Sequence, residues 1–236
     1  MGSGESLLFH LGPLGISVTV VTTWGIMLAL GLFSALATRR LRDDPGTLQS
    51  ALEGAVLALE AAIAAVFPQR PRMLLPFVGT LWVFLVAANL LGIVPGLHSP
   101  TRDLSLTAAL AILVFLSVHW YGIRSDGLRN YLRHYLSPNP IMFPFHVMSE
   151  LSRTVALAVR LFGNMASLEM AALMVLLLAG FLVPVPVLLL HVIEALVQAY
   201  IFGMLALIYI GSALEVHHRR QQASADIPPA ASQEQR

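Results

Sequence analysis

Five stretches of this chain are each long and apolar enough to cross a bilayer, and short Arg-bearing segments alternate between them. A helix needs about 20 mostly apolar residues to span a hydrocarbon core of roughly 30 Å. The pattern therefore predicts an all-α polytopic membrane protein. Composition agrees: of 236 residues, 57% are hydrophobic and 11% are charged, against roughly 25% charged in a soluble domain. The net charge of +1 carries no information about partners, because the charges are segregated along the chain. There is no cysteine, which excludes disulfides, thiolate catalysis and Cys-ligated metals. No internal repeat of the kind that marks many secondary transporters is present.

Residues 1–12 carry no basic residue and are expected to be an external N-terminus, ahead of a single membrane domain over 13–220. The run 13–38 is charge-free, and Arg39, Arg40 and Arg42 follow it at once. It lacks a basic n-region and is too long for a signal peptide, so it reads as a retained span. The positive-inside rule places the Arg cluster in the cytoplasm. Over 47–67, Leu48, Leu52, Val56, Leu59 and Ile63 recur at helical spacing, with Gln49, Glu53 and Glu60 on the other side. That is the pattern of a helix lying at the cytoplasmic interface, with a tilted hairpin as the other reading. Spans are expected at 73–94 and 104–123, joined by a short external loop and followed by a basic loop with Arg124, Arg129, Arg133 and His134. Every loop assigned inside is Arg-rich, while the external ones hold only Arg102. The short N-terminus without a transit peptide leads us to expect a multi-pass protein of a bacterial inner (plasma) membrane, N-terminus outside and C-terminus cytoplasmic.

The last two helical segments, 144–182 and 187–215, are too long for simple spans. At about 1.5 Å per residue they measure roughly 58 Å and 44 Å, so they must tilt or extend beyond the membrane. Val183–Pro186 is expected to be the external turn between them, and 221–236 a disordered cytoplasmic tail.

Chemistry concentrates on these two segments. Arg160 sits among apolar residues, where a guanidinium costs about 2.5–3.5 kcal/mol on insertion scales. Ser149, Arg153, Ala156, Arg160, Asn164 and Ser167 share one helical stripe, small or polar throughout. The other side carries Val155, Leu157, Leu161 and Phe162. Glu169, nine residues after Arg160, points to nearly the opposite side, so the two do not form a simple intrahelical salt bridge. Arg160 is then either half of a buried structural ion pair or a charge whose partner lies outside the chain. On the final helix, His191, Glu194 and Gln198 share a face. With Glu169 they make a polar track running from the outer surface toward mid-membrane, and ionisable groups placed this way mark ion pathways. Imidazole suits proton relay because it titrates near neutral pH; a metal site at His191 and Glu194 is the weaker reading, with two ligands only. His119 and His134 are expected at the interfaces, Arg153 as a cytoplasmic anchor, and Asn89 as a cap or hydrogen-bond partner of a neighbouring helix.

The run Arg160-Leu161-Phe162-Gly163-Asn164-Met165 resembles the signature of subunit a of F-type ATP synthases. Asn89 to Gly96 resembles the end of that family's third helix, and Pro100 to Thr107 the start of its next. His191, Gln198 and the following Tyr200-Ile201-Phe202 resemble its final helix. The resemblance implies one outer span, an interfacial helix, a two-span hairpin and two long tilted helices against a rotor ring. It implies ion translocation through two half-channels, with Arg160 facing the ring carboxylate and Asn164, Glu169, His191 and Gln198 at polar half-channel positions. It also implies partners: a c-ring of carboxylate-bearing rotor subunits, peripheral-stalk b subunits, an F1 ATPase head and the lipid bilayer, with no nucleic acid, no cofactor and no catalytic site of its own. Ala156 stands where a small hydroxyl residue is frequent, Leu168 where a small residue is usual, and Glu194 adds an acid to the relay region. The coupling ion is H⁺ or Na⁺. The competing class is a stand-alone secondary transporter or channel.

Overall fold

A computed structural model describes residues 7–11, 14–39, 46–68, 71–94, 99–127, 142–179 and 184–225. Two strands, β1 (Leu7–Leu11) and β2 (Leu14–Ser17), pair antiparallel at the N-terminus. Six helices follow: α1 (Val18–Thr38), α2 (Thr47–Val66), α3 (Pro71–Leu91), α4 (Leu104–Asp126), α5 (Met142–Ala179) and α6 (Pro184–Ala225). A 3-10 turn, Pro100–Arg102, leads into α4. All six helices contain a segment long and apolar enough to cross a membrane.

Several boundaries differ from those expected. The first span was expected from residue 13, yet the helix starts at Val18 because the preceding residues pair as a hairpin. The tight turn expected at Val183–Pro186 is largely helix: Pro184 and Pro186 form the first turn of α6, where a missing N–H leaves no bond unmade. That helix also runs past the expected end at residue 215 to Ala225, so the first residues of the expected tail are helical. Arg129, Arg133 and His134 lie outside the described residues. Both final helices are overlong, as their sequence spacing requires. With 38 and 42 residues, α5 and α6 measure roughly 57 Å and 63 Å at about 1.5 Å per residue.

The core is shared by α3, α4, α5 and α6. One cluster joins Leu81 and Leu85, Leu110 and Val114, Leu157, Leu161 and Met165, and Phe202 and Ala206. A second, toward the start of α3 and further along α6, adds α2 through Ile63 and Phe67, packed with Leu74, Val78, Leu207, Ile210 and Leu214. Only the C-terminal end of α2 is buried in this way, and Arg72 donates to Glu60 at 2.9 Å across the turn to α3. α1 stands at the edge, with Ile26 its one buried residue among those described. It is tied on by Thr19, whose hydroxyl donates to Asp103 at 2.8 Å. Asp103 caps α4 by accepting from the Ser105 amide at 2.9 Å. Burial raises the pKa of this carboxyl, but the Ser105 and Thr19 hydrogen bonds and nearby Arg102 outweigh it and hold the value below the ordinary aspartate range.

The closest approach of α3 to α6 depends on Gly203. A Cβ there would overlap the ring of Trp82. With that space open, the Trp82 ring stacks on Tyr200 at 5.9 Å between centroids, and its indole N–H donates to the Tyr200 carbonyl at 3.3 Å. This contact holds α6 against the hairpin formed by α3 and α4, and so fixes the level at which the polar face of α6 meets its neighbours.

Candidate functional site

Helical periodicity divides α5 cleanly. Leu157, Ala158, Leu161, Met165 and Leu168 are buried and face the bundle. Ala156, Arg160 and Ser167 are exposed, together with Val155, Val159, Met170 and Leu173. The expected small-residue stripe is thus an outer face of the chain. The apolar residues expected opposite it split: Leu157 and Leu161 enter the core, while Val155 stays exposed. Arg160 makes no hydrogen bond or ion pair among the described residues, so of the two sequence readings the buried structural pair has no support from them.

Arg153, expected only as a surface anchor, has a more specific environment. Its guanidinium lies 4.9 Å over the Tyr209 ring of α6, a cation–π contact that ties α5 to α6 two turns from Arg160. Arg153 and Arg160 lie on one stripe of α5 in the sequence, yet this contact separates them: one charge is held against the bundle, the other is not.

Asn164 lies at the border between the stripe and the core face. Its Nδ2 donates to Gln198 Oε1 at 2.6 Å, linking α5 to α6. Gln198 is 1% exposed and His191 is 4% exposed, both on the buried face of α6. His191 Nε2 and Gln198 Nε2 are buried without a hydrogen-bond partner among the described residues. Leaving a buried polar atom unmatched costs about 1–3 kcal/mol, and such groups call for an explanation in function or in a mobile partner. Glu194 is half-buried between them and makes no hydrogen bond or ion pair among the described residues. The side chain of Glu169 lies outside the described residues, although its backbone belongs to α5, so the expected meeting with His191 is not described.

One polar cluster was only partly legible in the sequence. Asn89, expected as a helix cap or neighbour contact, is fully buried, and its Nδ2 donates to the Ala195 carbonyl at 3.1 Å. Its Oδ1 accepts from the Thr101 hydroxyl at 2.7 Å. The Ser99 hydroxyl in turn donates to the Ala88 carbonyl at 2.9 Å and lies 2.6 Å from Thr101 Oγ1. The end of α3 and the turn before α4 therefore grip α6 between His191 and Gln198. The available sequence signal was three small polar residues, Asn89, Ser99 and Thr101, at the two ends of one short loop. His119, expected at an interface, hydrogen-bonds through Nδ1 with the Phe115 carbonyl of its own helix at 2.8 Å.

Comparison with known proteins adds independent information. The chain matches the family model described as ATP synthase A chain over residues 20–211. It is 63% identical to ATP synthase subunit a 1 of Hahella chejuensis, covering 91% of each chain. It is also 63% identical to ATP synthase subunit a 2 of Pelobacter propionicus, over 88% of this chain and 91% of that one. Identity to ATP synthase subunit a of Legionella pneumophila is 51%, over 92% of this chain and 95% of the relative.

Proposed function

Because the chain belongs to the ATP synthase A chain family, we propose that Arg160 works as a stationary charge against carboxylates carried past it by a rotating ring. The chain is a multi-pass bacterial membrane protein and serves as the proton-channel stator subunit of an F-type ATP synthase. The reading as a stand-alone transporter or channel is not favoured. In our reading the chain has no catalytic site of its own, and ATP chemistry belongs to a soluble F1 head. Its partners are the c-ring, peripheral-stalk b subunits and lipid. Its N-terminus lies outside and its C-terminus in the cytoplasm, following the Arg-rich inner loops. α2 lies at the inner interface, because its polar residues Gln49, Glu53 and Glu60 share a side.

The observation that supports this mechanism best is an exposed arginine, without a partner among the described residues, on a membrane-length helix. An arginine placed there needs a counter-charge, and no described residue of this chain provides one. Guanidinium keeps its charge and cannot relay protons. It favours the ionised form of a carboxylate that comes near, while desolvation beyond it favours the neutral form. A ring carboxylate therefore releases its proton on one side of Arg160 and is reloaded on the other. Asn164, Glu169, His191, Glu194 and Gln198 are the groups we assign to the relay between this point and the outer surface. The driving force is about 2.3 kcal/mol per charge per 100 mV.

Purification tests the reading. Solubilised gently, the chain should bring with it a ring of small carboxylate-bearing subunits and a soluble ATPase. A chain that purifies alone and transports a solute would contradict it.

A further inference from the structure

Arg153 and Arg160 share a stripe of α5 and stand about 10 Å apart along the helix. Arg160 is exposed there, whereas Arg153 is half-buried with its guanidinium 4.9 Å over the Tyr209 ring of α6. No carboxylate holds Arg153 among the described residues: Glu150, one turn earlier, makes no ion pair with it. The Tyr209 ring is therefore what fixes its direction. That ring is itself fixed, because Tyr209 packs against both core clusters between the buried Ala206 and Ile210. The stripe beside Arg153 is open, since Ser149 and Ala156, a turn to either side, are small and exposed. A released Arg153 would meet no obstacle on that face.

We propose that Tyr209 acts as a charge shield: it holds Arg153 off the ring-facing stripe and leaves Arg160 as the cation that a ring carboxylate meets. This rests on the reading of Arg160 as the stationary charge. A helix of 38 residues is far longer than the hydrocarbon core and has to tilt, so the two arginines are offset sideways as well as in depth. Released onto the stripe, Arg153 would stand on the inner side of Arg160 in the proposed topology. A carboxylate has to take up a proton on that side during ATP-driven pumping. A second guanidinium there favours the ionised form and opposes loading, and it cannot supply the proton itself. Tyr209 is thus a positioning residue that acts through Arg153, and its ring face, not its hydroxyl, is the part required.

Rescue by a second substitution tests this in the assembled complex, with ATP-driven proton pumping into vesicles as the readout. Tyr209→Leu should reduce pumping at least about tenfold, the lower end of what one added charge does to a carboxylate's ionisation. Tyr209→Phe keeps the ring face and should pump within about twofold of the unsubstituted complex. Arg153→Gln/Tyr209→Leu should recover the same level, because the charge to be shielded is gone. A tyrosine that only filled space would give the opposite result, a double variant that pumps no better than Tyr209→Leu. That outcome would overturn the shield, as would normal pumping by Tyr209→Leu or an equally deep loss in Tyr209→Phe. If Tyr209→Leu does not assemble, Tyr209→Met fills more of the space without a ring face and is judged by the same outcomes. Normal pumping by Arg160→Ala would instead count against the proposed function.

Discussion

Arg160→Ala should leave the complex assembled and abolish ATP-coupled proton transport. The two halves of that expectation have separate physical grounds. Arg160 is exposed and makes no bond within the described chain, so its removal takes nothing from the core. Surface substitutions of this kind usually change stability by no more than about 0.5 kcal/mol, and removal also relieves a membrane-insertion cost of about 2.5–3.5 kcal/mol. Transport is another matter. An opposite charge within about 4–6 Å lowers a carboxylate's pKa by roughly 1–3 units, so its loss weakens the ionisation constant at the stator by about 10–1,000-fold. The ring carboxylates would then stay neutral past the subunit, and rotation would no longer be tied to release and reloading. The check is subunit recovery after purification beside ATP-driven acidification of vesicles. Normal coupled pumping by the variant would refute the assigned role, and loss of assembly would mean that Arg160 is structural.

Gly203→Ala is expected to be the most damaging small substitution in the bundle. The added methyl would overlap the Trp82 ring, which is 4% exposed, stacked on Tyr200 and hydrogen-bonded to its carbonyl. Overpacking a well-packed core costs about 1–3 kcal/mol, and the upper end applies because a rigid indole has no free rotamer to yield. α3 would have to move away from α6, and the grip of Asn89 on Ala195 would move with it. The expected result is a large drop in thermal stability of the detergent-solubilised complex together with reduced pumping. The companion Gly203→Ala/Trp82→Leu variant should recover part of the stability. Unchanged stability in the single variant would show that the helices do not approach this closely.

Much of the architecture was legible because membrane helices announce themselves through length and charge spacing. The excess length of α5 and α6 could be counted directly. The N-terminal hairpin was not legible, since apolar residues such as Leu14 and Ile16 suit a span or a strand equally well. The Pro184–Pro186 segment was misplaced because proline reads as a helix breaker, although it is favourable in a first turn. At the site, periodicity placed Arg160, Asn164, His191 and Gln198 on their faces. Periodicity within one helix cannot reveal contacts between helices, so the Asn164–Gln198 bond, the Arg153–Tyr209 contact and the Ser99–Thr101–Asn89 grip required the fold.

In our reading the arginine's partner lies outside this chain, on a ring that passes the small-residue face of α5. Photocrosslinking reads this most directly, with a photoreactive residue placed in the assembled complex at Ala156 or Ser167, which flank Arg160 on its exposed stripe. Both positions should crosslink to the small carboxylate-bearing ring subunit, at several sites if the ring turns. Crosslinks to lipid or to another segment of this chain, with none to the ring, would contradict the claim.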